Sequence, residues 1–210
     1  MDYGRLTAAY ADMERTRSRL EIASLLADLF RDTPPEELAA VAHLCLGQLG
    51  PAYDSREVGL SDKSVLRTLA LASGTPLAEL QATYAEAGDI GLVAEEALAA
   101  KAQQPLFGAP LTMGRVWKRL HALSRETGSG SQGRKFRALA ELLHDGTPQD
   151  ARYICRTAVG KLRLGFSQML LVDGLAEAFG SREERGMVEA AYNRRPDIGW
   201  LAQRAAADFG

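Results

Sequence analysis

Apolar residues along this chain recur at helical spacing, and no segment shows the sustained alternation of a half-buried strand. Turn and cap signals divide the pattern into twelve pieces. They predict helices near 3–14, 18–32, 35–47, 61–72, 76–87 and 90–101, then near 112–125, 133–145, 148–160, 166–179, 182–193 and 197–208. Thr33-Pro34-Pro35-Glu36 and Thr147-Pro148 read as helix starts, because proline in the first turn gives up an N–H that has no intrahelical partner. Asp89 and Asp197 read as N-caps, each ahead of an apolar-periodic run.

The two sets of six helices share a pattern. "LADLFRDTPPEELAAVAHLCLGQL" from Leu26 is echoed by "LAELLHDGTPQDARYICRTAVGKL" from Leu139. At a constant offset of 113, Leu26, Ala27, Leu29, Asp32, Pro35, Gly47 and Leu49 recur as Leu139, Ala140, Leu142, Asp145, Pro148, Gly160 and Leu162. "GDIGLVAEEALA" from Gly88 returns as "PDIGWLAQRAAA" from Pro196 at an offset of 108, which places extra residues of the first half within "GPAYDSREVG". The expectation is an all-α fold of about twelve helices in two pseudo-twofold-related six-helix repeats. Repeat one runs over about 1–101, a linker over 102–111 and repeat two over about 112–210.

Composition agrees with helices, since alanine and leucine dominate and β-branched residues are scarce. No run of 18 uncharged apolar residues exists and Met1 opens a polar, amphipathic segment, so neither a membrane span nor a secretory signal is read and a cytoplasmic location is expected. Cys45 and Cys155 sit among apolar residues and read as buried thiols. His43, His121 and His144 share no metal-ligand spacing, so no metal site is expected.

The formal charge is only −2, but its distribution is uneven. Residues 125–163 hold eight basic residues (Arg125, Arg134, Lys135, Arg137, Arg152, Arg156, Lys161 and Arg163) against four acidic ones, whereas the flanks are acidic. Such local asymmetry fits an anionic partner, and equally a solvated helix face that happens to be basic. Within this segment, "ETGSGSQGRK" from Glu126 places glycines and serines ahead of Arg134 and Lys135 at a helix start, where backbone amides favour anions. It matches neither phosphate-loop pattern of nucleotide-hydrolysing or dinucleotide-binding proteins. On a helical wheel Arg152, Arg156 and Arg163 fall within about 40° of one another if the helix continues that far, away from Ile154, Cys155, Ala158 and Leu162. "RTRSRLE" from Arg15 offers a comparable basic loop in the first half.

"AVGKLRLGFSQM" from Ala158 sets Gly160 and Gly165 around Lys161 and Arg163. Glycine inside a helix costs about 1 kcal/mol relative to alanine, so these glycines need a reason. Close approach of the main chain to a sugar–phosphate backbone supplies one, with the two cations neutralising charge. No helix is rich in Asn, Gln and Arg for reading base edges, so sequence-independent binding is expected.

"GSGSQGRK", "ARYICRTAVGKLRLG" and "GDIGLVAEEAL" together resemble the N-terminal DNA-binding domain of archaeal and eukaryotic-type ATP-dependent DNA ligases, over essentially the whole chain. The resemblance implies an all-helical, pseudo-twofold domain that grips the minor groove on both sides of a nick. It implies that Gly160, Lys161, Arg163 and Gly165 form a DNA-contacting turn, that Gly130, Ser131 and Lys135, beside Arg134, lie in a second loop, and that Arg17, Ser18 and Arg19 lie in a first-repeat loop. Arg156 joins this set through the arginine face. Family chemistry needs a K-x-D-G lysine, and the lysines here stand in "KSVL", "KAQQ", "KRLH", "KFRA" and "KLRL". The chain is therefore expected to bind nicked double-stranded DNA without sealing it, as part of a longer, nucleoid-associated ligase whose catalytic nucleotidyltransferase and OB-fold domains, ATP and divalent metal ion lie elsewhere. Gln103, Leu106 and Phe107 are similar to the sliding-clamp-binding motif of archaeal relatives, although the same linker residues also suit tucking onto their own domain. An α-helical repeat adaptor for a protein partner is the alternative function.

Overall fold

The computed structural model describes residues 1–54, 56–100, 110–181 and 183–209. The chain is all-α. Its helices are α1 (Tyr3–Glu14), α2 (Arg19–Arg31), α3 (Leu38–Cys45), α4 (Asp62–Ser73), α5 (Leu77–Ala87), α6 (Ile90–Ala99), α7 (Met113–Arg125), α8 (Ser131–Asp145), α9 (Pro148–Ala158), α10 (Gln168–Phe179), α11 (Arg185–Arg194) and α12 (Ile198–Phe209). Among the described residues an isolated bridge between Asp2 and Thr112 is the only β-type pairing.

Caps explain where these helices begin. The hydroxyls of Ser18, Ser61, Thr112 and Thr147 accept from the amides of Glu21, Ser64, Arg115 and Asp150 at the heads of α2, α4, α7 and α9. Asp150 reciprocates toward the Thr147 amide, completing a capping box. Asp89 accepts from the amides of Gly91 and Leu92 and so caps α6 as its sequence position predicts. The prediction places the start of α3 at Pro35; residues 35–37 instead form a turn and regular helix begins at Leu38.

The chain divides into two compact units that do not follow the sequence halves. Unit 1 holds residues 5–56 and 163–210 with Met1, hence most of α1 together with α2, α3, α10, α11 and α12. In it α2 lies against α10 and α3 against α12. Gly174 permits the first approach, since a Cβ there would lie 2.7 Å from the Cβ of Leu26. Arg31 closes the end of α10 by donating to the carbonyls of Ala178 and Glu177 at 3.2 and 2.8 Å. Leu6, Tyr10, Leu26, Phe30, Leu38, Leu171 and Leu175 are buried in its core.

Unit 2 holds residues 57–162 with 2–4, hence α4 through α9. Here α4 lies against α8 and α6 against α9, around Val65, Leu69, Val93, Leu139, Leu142, Tyr153 and Ile154. Each unit thus takes three helices from before residues 102–111 and three from after them.

Candidate nucleic-acid interface

In unit 1 the basic loop between α1 and α2 and the segment leading into α10 line one cleft of about 410 Å³. Arg17, Arg19, Arg163 and Gly165 share its rim, although the two pairs are far apart in sequence. Ser18 lies between the first two as the N-cap of α2, so its hydroxyl is already engaged by the Glu21 amide at 3.3 Å. Arg17 and Arg19 are exposed and form no ion pair among the described residues.

The turn that carries Arg163 begins as a helix cap. Gly160 has φ +69°, its amide donates to the Thr157 carbonyl at 3.1 Å, and the Lys161 amide donates to the Arg156 carbonyl at 2.8 Å. This is a Schellman motif, and it gives Gly160 a local reason to be glycine. The backbone then exposes Lys161, Arg163 and Gly165 while burying Leu162 and Leu164 between them. Arg163 has φ +59°, the one non-glycine residue with positive φ among those described. A left-handed conformation costs an ordinary side chain about 1–2 kcal/mol, and such strain concentrates at functional positions.

In unit 2 the Gly-Ser loop is exposed and Gly130, with φ +74°, sits at the N-cap position of α8 without a side-chain cap. Ser131 is the first residue of that helix. Arg134 fastens the loop, pairing with Glu126 at 2.7 Å and donating to the carbonyls of Ser129 and Thr127 at 3.2 and 3.3 Å. Lys135 Nζ donates to the Val58 carbonyl at 2.8 Å, and Lys161 Nζ to Asp62 at 2.8 Å.

The arginine face read from the wheel does not exist. Helix α9 ends at Ala158, so Arg163 is not on it. Arg152 pairs with Glu95 at 3.0 Å, and Arg156 is 5% exposed. The Arg156 guanidinium donates from Nε and Nη2 to the two carboxylate oxygens of Asp89 at 3.0 and 2.9 Å, inside unit 2. The physical reason is that α9 is buried on nearly every side, and a cation in such a place must meet a carboxylate. Arg156 is therefore an internal tie and not a presented charge. Burial works against the Asp89 carboxylate, but the hydrogen bond and charge of Arg156, with the Leu92 and Gly91 amides, outweigh it and hold the pKa below the ordinary 3.8.

Other features bear on chemistry. Both cysteines are buried and free, and burial pushes the Cys45 thiol up to about 12 despite a hydrogen bond with Tyr10, so neither is poised as a nucleophile. Among the described residues no group of three His, Cys, Asp or Glu side chains is arranged to hold a metal, and no helix is long and apolar enough to cross a membrane. Gln103, Leu106 and Phe107 lie outside the described residues. Sequence reasoning missed Val58 and Asp62 as partners of the two lysines; an acid in a first turn reads simply as a favourable dipole contact.

The described residues form an all-helical fold with exposed basic loops. A family profile described as the DNA ligase N terminus matches residues 2–205, and the chain belongs to that family. It is 41% identical over 214 residues to DNA ligase 2 of Thermofilum pendens, covering 98% of this chain and 36% of that protein. The DNA ligase of Pyrobaculum arsenaticum is 41% identical over 211 residues, covering 99% and 36%, and DNA ligase 2 of Korarchaeum cryptofilum 41% over 207 residues, covering 98% and 35%. The chain thus spans about a third of the length of these relatives.

Proposed function

We propose that this chain is the DNA-gripping module of an ATP-dependent DNA ligase acting in replication and repair. It holds nicked duplex through the minor groove and phosphate backbone without reading base sequence. The observation that carries this reading is the unit 1 cleft, where Arg17 and Arg19 share a rim with Arg163 and Gly165. Guanidinium groups pair with phosphate oxygens in a planar, bidentate manner, and glycine leaves the backbone open to close approach. Gly160 and Lys161, with Gly130, Ser131 and Lys135 of the Gly-Ser loop, supply backbone contacts from unit 2. Arg134 contributes by shaping its loop.

Ligation chemistry belongs to the remainder of the longer protein. No lysine here stands in K-x-D-G, so the residues present do not fit an adenylation site for ATP, and none is assigned a role with the divalent metal. The clamp contact through Gln103, Leu106 and Phe107 rests on sequence, as does a cytoplasmic, nucleoid-associated location.

The test is fluorescence anisotropy of a labelled nicked duplex at several salt concentrations. Affinity should fall steeply with salt, because bound cations release counterions from DNA. Replacing Arg17 and Arg19 by alanine should weaken binding equally for different sequences and reduce the log–log salt slope by about one for each phosphate no longer neutralised. Salt-insensitive behaviour, or an unchanged slope in a folded variant, would remove the cleft from the interface and favour a protein-binding adaptor.

A further inference from the structure

One short segment of unit 2 holds both site lysines. Val58 accepts Lys135 through its carbonyl, and Asp62, just downstream, accepts Lys161 at 2.8 Å. Between them the Leu60 amide donates to the Ala158 carbonyl at 3.3 Å, fixing the segment against the end of α9. Asp62 is the first residue of α4, behind the Ser61 cap. Its Oδ2 takes the ammonium, while Oδ1 is buried with no hydrogen-bond partner among the described residues. The Asp62 carboxylate is thus held in place by its fold position, whereas the Lys161 side chain is 46% exposed on a flexible stem. Unit 1 lacks this pair. After the cap glycine of α3 comes Gln48 instead of a lysine, and after Ser167 at the head of α10 comes Gln168 instead of an aspartate. Charge and counter-charge occur together.

We propose that Asp62 is an internal competitor that occupies, in the free protein, the place a DNA phosphate takes on Lys161. This rests on the reading of the Lys161 turn as a backbone contact. A partly exposed ion pair of this kind is weak and exchanges readily, so an incoming phosphate displaces it. An ammonium is a compact point charge that needs little prior ordering to meet phosphate, so the main effect of Asp62 is competition. It moderates affinity and thereby eases release of the duplex.

The experiment is a double-mutant cycle on the whole chain with the labelled nicked duplex. Asp62→Asn should bind about 2- to 5-fold more tightly than wild type, the size expected for removing a surface competitor. Asp62→Ser, which keeps a small polar side chain, should reproduce the gain independently. In a Lys161→Ala background the gain should vanish. A gain of equal size in that background would mean that Asp62 acts only through overall charge and would overturn the proposal. No gain in either variant, while Lys161→Ala weakens binding, would overturn it and leave the DNA reading standing. No binding by folded wild type at low salt would remove both.

Discussion

The carboxylates that head α6 and α12 occupy the same kind of place and meet different partners. Asp89 receives a two-pronged guanidinium from Arg156 at 2.9–3.0 Å, besides the amides of its own helix. Asp197 caps the Trp200 amide at 3.0 Å and lies 3.4 Å from His43 Nε2, 3.4 Å from Arg195 and 3.5 Å from the Tyr53 hydroxyl. Arg156 and His43 are equivalent in another respect. The carbonyl of each closes a Schellman turn, taking the amide of Lys161 in one unit and of Gln48 in the other. A glycine follows each aspartate by two positions, Gly91 and Gly199, and a Cβ on either would strike the opposing helix. The backbone arrangement therefore requires a small residue and a buried acid, while the side chain that faces the acid is open to choice. Unit 2 fixes one strong partner; unit 1 divides the work among several weaker ones.

The largest effect should come from cutting the strong tie. Arg156→Ala leaves Asp89 charged and buried, which costs about 3–5 kcal/mol. His43→Ala should cost only about 1–3 kcal/mol, because Tyr53 and Arg195 remain near Asp197. Urea denaturation read by circular dichroism measures both, and equal losses would erase the distinction.

Next come the glycines. Gly91→Ala places a methyl 2.7 Å from the Arg152 carbonyl, a backbone atom that cannot step aside. Gly199→Ala meets chiefly the His43 ring, with the Ala39 carbonyl at 3.1 Å. Each should destabilise by about 1–3 kcal/mol, with Gly91→Ala the worse. Adding His43→Ala should recover part of the stability that Gly199→Ala removes, a coupling that a thermodynamic cycle detects.

The smallest effect is a pH dependence. The Asp89 carboxyl titrates lower in the folded chain than in the unfolded one. Its contribution is therefore complete above the unfolded value of about 3.9 and is lost as pH falls through the folded value. The stability gap between wild type and Asp89→Asn should stay constant from about pH 8 to pH 5 and narrow below about pH 4. A gap that widened in acid would contradict the assignment.

Helices were legible in the sequence because period and caps are local. Thr147-Pro148 and Asp89 marked starts that the structure keeps, and every boundary falls within three residues of its expected place. Which helices pack together was not legible, since periodicity identifies an apolar face without naming what covers it. Arg156 shows the cost of that gap. A wheel places it at an angle, but the buried acid opposite it comes from a helix many residues earlier. Gly160 shows another. Its glycine character follows from a helix cap, so close approach to a ligand is not needed to account for it. Of the candidate site, the pairing of Arg17 and Arg19 with Arg163 and Gly165 joins loops that composition alone leaves unconnected.

The division into units also sets an order on how the chain becomes ordered in time. Unit 2 is nearly continuous, residues 57–162, whereas unit 1 is assembled from pieces on either side of it. The contact of α2 with α10 must bring together segments separated by that whole interval, and closing so long a loop in an unstructured chain carries an entropic penalty that grows with its length. Structure already formed within the interval shortens the effective loop. On loop-closure grounds unit 2 is expected to order first and the cleft that gathers Arg17, Arg19 and Arg163 later, an order that φ-values would test.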